Sequence, residues 1–140
     1  MITARQLTND IVARHQLFGD LALESTLSYE AENFTAALAC LFVLTESALK
    51  YRIEADDEDK KELFRTINEA KDRNLITESQ AEQFQILRSV RNKLFHENSY
   101  SNVVEIDEVA YYLSDPDTKK ILYEMFWESV FLLTKEAVTQ

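Results

Sequence analysis

The sequence contains very few of the residues that make turns. Its 140 residues include one glycine and one proline. Turn-rich β architectures use both types often, because glycine adopts left-handed backbone conformations and proline fixes φ. The shortage predicts an all-α protein with short connections. Hydrophobic residues make up 46% of the chain and aromatic residues 11%, which is typical of a folded globular protein rather than a disordered one.

Cysteines and long apolar runs are also scarce. Cys40 is the only cysteine, so no intrachain disulfide can form, and its apolar neighbours predict a buried thiol. The longest apolar run, 36–44, is shorter than the roughly 18–20 residues that span a bilayer. The first residues lack the apolar core of a signal peptide. We therefore expect a cytoplasmic protein that does not bind membranes.

Positive charge is in deficit. The chain has 25 acidic and 15 basic residues, for a formal charge of −10. Repulsion between like charges opposes broad binding to duplex DNA or to an anionic membrane. A local basic site remains compatible with this charge, and segment 87–100 contains Arg88, Arg91 and Lys93 within two helical turns.

The spacing of apolar residues predicts a single domain, 1–140, of about five helices. We expect the helices over 4–18, 29–53, 57–73, 78–96 and 116–138, a loop over 97–102 and a short helix over 106–113. The predicted start signals are the capping-box pairs Thr3/Gln6 and Thr77/Gln80 and the dipeptide Asp115-Pro116. The predicted stop signals are Gly19 and Asn74.

The second and last of these helices are too apolar for a surface helix that buries only one face. We therefore predict a homodimer. Its interface would bury part of Phe126, Trp127 or Phe131, or the wide apolar face around Phe42.

The usual motifs of several kinds of catalytic site are missing from this sequence. The sequence has no glycine-rich phosphate loop, no cysteine or histidine spacing typical of a metal site, and no nucleophile elbow. We therefore expect neither a metal nor an organic cofactor. The remaining polar group is the Arg/Asn/His set of segment 87–100.

This set suits chemistry on a phosphodiester. Arginine offers a planar fork of donors that fits phosphate oxygens. Histidine can accept or donate a proton near neutral pH, and asparagine can orient a phosphate or a base. Together they suffice for metal-free RNA cleavage in which the ribose 2′-hydroxyl attacks the adjacent phosphate.

The spacing of the set raises a geometric problem. On a regular helix Arg88, Asn92 and His96 form one slowly drifting stripe, whereas Arg91 lies about 140° from His96. A regular helix does not aim Arg91 and His96 at one point. The helix must loosen near residues 95–96, or a second copy of the chain must complete the site.

Segment 91–96 reads RNKLFH and follows Leu87 and Arg88. It resembles the Arg-Asn-x-x-x-His signature of the HEPN superfamily. Segment 42–50, FVLTESALK, is similar to the second-helix pattern of that family, with Glu46 and Lys50 four residues apart. The resemblance implies an up-and-down helical bundle that commonly dimerises, so that two copies of the motif face each other across a cleft.

The resemblance also implies a function. Arg91 and His96 would be the catalytic residues of a metal-independent endoribonuclease, often a toxin or antiviral effector, and Asn92 would support them. Arg88, Lys93 and Glu46 are the candidates for binding the RNA substrate. An antitoxin or another protein partner is also expected for a toxin.

Two alternatives remain open at this stage. The chain could be a non-catalytic HEPN-like module that binds a protein or a nucleotide. The polar stripe could instead be only a solvated helix end, with Glu46 and Lys50 forming an ordinary helix-stabilising pair.

Overall fold

The protein is described by a computed structural model over residues 2–56, 61–95 and 103–139. Within these ranges it forms six helices and one two-stranded hairpin, so the predicted predominantly helical fold is confirmed. The elements are α1 (Ala4–Val12), α2 (Gln16–Glu30), α3 (Phe34–Arg52), α4 (Leu63–Asp72), α5 (Glu78–Phe95), β1 (Val103–Ile106), β2 (Val109–Tyr112) and α6 (Pro116–Val138).

Most of the predicted start and stop signals are confirmed. The residues of both capping boxes exchange side-chain-to-backbone hydrogen bonds, Thr3 with Gln6 and Thr77 with Gln80. The Asp115 carboxylate accepts the backbone N–H of Asp117 at 2.9 Å, and Pro116 occupies the first turn of α6. Asn74 follows α4 with a left-handed φ of 59°.

The prediction of one helix over 4–18 is wrong, because the first helix ends at Val12 and a second helix begins at Gln16. His15 caps the new helix, its ring Nδ1 accepting the backbone N–H of Phe18 at 3.3 Å. Gly19 does not stop a helix but lies inside α2. A Cβ atom at Gly19 would be 2.6 Å from the Cα of Val12, so the glycine lets α1 and α2 approach closely.

The predicted start of the second helix, at 29, is also wrong. Residues 29 and 30 still belong to α2, and the chain turns at Glu32, whose φ is 62°. The next helix, α3, begins only at Phe34. Similarly, α4 begins at Leu63 rather than at 57, and residues 57–60 lie outside the described ranges.

A hairpin stands where the sequence predicts a short helix over 106–113. Its two central turn residues, Asp107 and Glu108, both have positive φ (51° and 68°), as in a type I′ turn. Val104 and Ile106 of β1 are buried, and β1 contacts α5. The predicted loop over 97–102, and the last residue of the predicted helix over 78–96, lie outside the described ranges.

The core is built around α3, which packs against α2, α4, α5 and α6. One contiguous cluster of buried apolar side chains joins all six helices and the hairpin. Phe126 and Phe131 of α6 lie in this cluster. The apolar excess of the last helix therefore serves the core, and these two side chains are not available to a dimer interface.

Within the described ranges, α3 alone is long and apolar enough to cross a membrane, with a mean hydropathy of 1.3. Half of that apolar window is buried inside the protein. The central helix of a soluble bundle has the same length and composition, so this property is only weak support for a membrane span.

Candidate functional site

An open cavity of about 710 Å³ lies between α3, the start of α4 and the end of α5. Its lining combines an apolar wall with charged side chains. Among the described residues, the lining consists of Ala39, Phe42, Val43, Glu46, Lys50, Lys61, Glu62, Leu63, Arg91 and Phe95. Three of these described side chains are cationic and two are carboxylates, although the protein as a whole is acidic.

The centre of the charged wall is a cluster of Arg91, Glu46 and Lys50. Arg91 Nη1 donates to Glu46 Oε2 at 2.9 Å, and Lys50 Nζ lies 3.6 Å from Glu46 Oε1. The Arg91 side chain is 25% exposed and that of Glu46 35%. Among the described residues, one carboxylate thus faces two cations.

Two helices position the cluster. Glu46 and Lys50 are four residues apart on α3, where helical geometry brings them to the same face. Arg91 reaches the same carboxylate from α5, which packs on α3. Because α3 packs against four other helices, the backbone that carries Glu46 is held in place.

Arg91 retains unused donor capacity. Its Nε–H is buried and finds no hydrogen-bond acceptor among the described residues. A buried donor without an acceptor costs roughly 1–3 kcal/mol. An anion that reached this side of the guanidinium would therefore satisfy a donor that now lacks a partner.

The apolar wall carries an exposed aromatic ring. Phe95, the last residue of α5, is 47% exposed, and its ring centroid lies 5.6 Å from that of Phe42 at an interplanar angle of 87°. Phe42 itself is buried, whereas Val43 beside it is exposed. The cavity thus joins an accessible aromatic surface to the cationic cluster.

An ion-pair network stabilises the side of the cavity that α4 and the residues before it form. Lys61 pairs with Glu69, which also accepts from Arg73 Nη1 at 3.1 Å. The hydrogen bond from Lys61, followed by that from Arg73, lowers the pKa of Glu69. Arg73 Nη1 also donates to the carbonyl of Ile53 at 2.9 Å and so links α4 to the end of α3.

The structure brings two of the predicted site residues together, Arg91 and Glu46. Arg88 is not among the described lining residues of this cavity: its Nε donates to Gln85 at 2.8 Å, and its guanidinium stacks over the Phe64 ring, 5.3 Å from the centroid. These contacts hold Arg88 against α4.

The other predicted residues divide between structural positions and the part of the chain that is not described. Lys93 Nζ donates to the carbonyl of Val103 at 2.9 Å and so anchors the start of the hairpin to α5. Asn92 is half-buried on α5 and is not among the described lining residues. His96 lies outside the described ranges.

Sequence reasoning missed the cavity positions of Phe95, Val43 and Lys61. The apolar spacing of 78–96 places Phe95 on the inner face of its helix, and nothing in that spacing indicates that the ring is half-exposed. Lys61 lies in a charged stretch that reads as solvated surface. Its position in the cavity depends on the return of the chain from α3 to α4, which the sequence does not encode locally.

The described residues support neither a metal site nor a reactive thiol. No group of three or more His, Cys, Asp or Glu side chains there is arranged to hold a metal ion. Burial raises the pKa of the Cys40 thiol to about 11, so this thiol is protonated and unreactive at neutral pH.

Comparison with known proteins gives no match: no family model, no curated protein and no solved structure matches this chain. What the protein does is therefore inferred from the chemistry of its cavity residues.

Proposed function

We propose that this protein is a metal-independent endoribonuclease of the HEPN type, with Arg91 and His96 as its catalytic residues. It acts in the cytoplasm as a toxin or antiviral effector and works as a homodimer whose two motif helices face a shared cleft. The observation that carries the proposal is the position of Arg91, which lies in a cavity beside a second cation that shares its carboxylate partner.

The donors of Arg91 fit one phosphodiester. Its buried Nε–H has no acceptor among the described residues, and an arginine fork can bind two phosphate oxygens at once. In the pentavalent transition state the additional negative charge falls on the oxygens that Arg91 contacts, where a fixed cation stabilises it. Glu46 holds the guanidinium in the cavity until the phosphate competes for it.

His96 supplies the proton transfers of the reaction. The 2′-hydroxyl loses its proton as its oxygen attacks phosphorus, and the 5′-oxygen of the next nucleotide gains a proton as it leaves. Histidine can serve either transfer at neutral pH. The products are a 2′,3′-cyclic phosphate and a free 5′-hydroxyl.

A second copy of the chain resolves the angular problem between Arg91 and His96. The two residues lie about 140° apart on one regular helix, but a cleft between two copies can bring an arginine of one chain near the histidine of the other. The exposed side chain of Val43 at the cavity offers apolar surface for that contact.

The second candidate function is a non-catalytic module that binds a nucleotide or a protein partner. The ion pair between Arg91 and Glu46 favours it, because the carboxylate occupies part of the fork that a substrate phosphate needs. In this case the cavity binds a phosphate without cleaving its ester.

Cleavage of labelled single-stranded RNA distinguishes the two functions. Arg91→Ala and His96→Ala should each lower the rate by about 10²-fold or more, and EDTA should leave the rate of the wild type unchanged. Arg65→Ala is the matched control, because Arg65 is exposed on α4 and is not among the described cavity-lining residues. Light scattering should give about twice the 16.3 kDa mass of the chain.

The ribonuclease proposal fails if the wild type cleaves none of a varied set of RNAs and is harmless when expressed. Retained RNA binding would then favour the binding module. Cleavage that persists in His96→Ala would indicate a contaminating nuclease or another active site. A strictly monomeric species would contradict the shared cleft.

A further inference from the structure

The strongest unassigned feature of the cavity is the Phe95 ring, which is 47% exposed beside the cationic cluster. The ring meets Phe42 at 87°, and in a perpendicular pair the partner covers at most one face of a ring. At least one face of Phe95 is therefore not covered by Phe42. The ring thus presents an accessible face in the same cavity as Arg91.

Phe64 has the same exposure as Phe95 but a different position. It is 47% exposed on α4, and the Arg88 guanidinium lies over its ring. It is not among the described residues that line the cavity. Exposure alone therefore does not distinguish Phe95. The distinguishing feature is its place in the cavity that holds Arg91.

We propose that Phe95 is a stacking platform for one nucleobase of single-stranded RNA, the neighbouring phosphate of which contacts Arg91. This inference rests on the proposed function and adds to it a requirement for unpaired RNA. The bases of a duplex are stacked on one another, so only a single strand or a loop can offer the face of a base to the ring.

Chemistry and size both favour this occupant. A nucleotide joins a monoanionic phosphate to a neutral aromatic ring. The cavity joins Arg91, whose buried Nε–H has no acceptor among the described residues, to an apolar aromatic wall. Its volume of about 710 Å³ falls within the roughly 300–1,000 Å³ that is typical of small-ligand sites.

The test measures binding rather than cleavage. The probes are a short fluorescent 2′-O-methyl oligonucleotide, which cannot be cleaved by its own 2′-hydroxyl, and a strand with the same phosphates but no bases. Phe95→Ala should weaken binding of the first strand by about tenfold, the usual scale for loss of one stacked base, and should leave binding of the abasic strand unchanged. Phe95→Trp should preserve both affinities.

Two control variants separate this inference from the proposed function. Phe64→Ala should change neither affinity, whereas Arg91→Ala should weaken binding of both strands. If Phe95→Ala has no effect, or weakens both strands equally, the stacking role is refuted and the proposed function stands. If the wild type binds neither strand, or if Arg91→Ala leaves both affinities unchanged, the proposed function fails and the stacking role with it.

Two further results would overturn the inference. The wild type should bind the single strand more tightly than the matching duplex, so equal affinity is incompatible with stacking of an exposed base. Light scattering on Phe95→Ala should give the mass of the wild type. A shift from dimer to monomer would assign the ring to a subunit interface instead.

Discussion

The close approach of α1 and α2 predicts that adding a methyl group at Gly19 destabilises the protein, although alanine is the better helix former. Gly19 lies within α2, where replacement of glycine by alanine normally gains about 1 kcal/mol. The new Cβ, however, would be 2.6 Å from the Cα of Val12 and 3.1 Å from its backbone nitrogen. These are backbone atoms, so no side-chain rotation relieves the contact.

The net effect follows from the two opposing contributions. Carbon atoms in favourable contact are about 3.5–4.0 Å apart, so α1 and α2 must separate by about 1 Å. Overpacking of this kind costs about 1–3 kcal/mol, of which helix propensity recovers about 1 kcal/mol. We therefore expect Gly19→Ala to lower the free energy of unfolding by about 1 kcal/mol.

Urea unfolding followed by the fluorescence of Trp127, the only tryptophan, measures this change. The matched control is the pair Glu24→Gly and Glu24→Ala, at an exposed position of the same helix. Between these two variants the alanine form should be more stable by about 1 kcal/mol, through helix propensity alone. The same exchange of glycine for alanine should thus raise the urea midpoint at position 24 and lower it at position 19. A higher midpoint for Gly19→Ala would show that the helices separate at little cost and would refute the reasoning.

Two further predictions concern Tyr29 and Lys93. The hydrogen bond that Tyr29 donates to Glu124, followed by burial, raises the pKa of Tyr29 to about 12. The folded state therefore holds the phenolic proton more tightly than the unfolded state does. The stability that this gives is complete below about pH 10 and is lost as the pH rises towards 12. Glu124→Gln should bring the Tyr29 midpoint back towards about 10 in an ultraviolet titration, with Tyr29→Phe identifying the late-titrating group, and an unchanged midpoint would contradict this origin of the shift. Lys93→Met removes the bond to the Val103 carbonyl and should speed amide hydrogen exchange in β1 and β2 by about tenfold or more, since a hydrogen bond to a charged group contributes about 1.5–3 kcal/mol. Exchange in α3 should be unaffected, and a uniform acceleration across the chain would show that Lys93 supports the whole fold instead.

The parts of the fold that follow from the sequence are those with local chemical signals. Thr3, Thr77 and Asp115 each offer a side-chain oxygen to a helix start, and all three cap as predicted. The range of α6 also follows from its signals, because Pro116 fixes the first turn and the apolar pattern continues to the end of the helix.

The wrong predictions of helix ends and turns concern residues whose structural role does not follow from their residue type. Gly19 permits close helix packing instead of ending a helix, and His15 caps α2 although histidine is not a usual cap. Glu32, Asp107 and Glu108 adopt positive φ without being glycine or asparagine. The β-branched and aromatic residues of 103–112 carry a strand signal, but the turn between them lacks the glycine that marks a hairpin.

The sequence singles out Arg91 and Glu46 as candidate site residues, but it does not predict the contacts of the side chains around them. The spacing of Glu46 and Lys50 indicates their pairing, and the resemblance of 91–96 to a known motif singles out Arg91. The sequence does not indicate that Arg88 stacks on Phe64 or that Lys93 binds a backbone carbonyl. Both contacts depend on tertiary packing that the local sequence does not specify.

The central place of α3 sets how freely the two walls of the cavity can change in evolution. Glu46 lies on α3, the helix that packs against four others, and its carboxylate pairs with Arg91 of α5, so its replacement removes a contact between two core helices. Phe95 stands at the end of its helix, half-exposed, where exchanges of ring size or polarity cost little stability. Divergence of the ligand preference should therefore proceed through the aromatic wall, while the carboxylate is retained for its link between α3 and α5 as well as for binding.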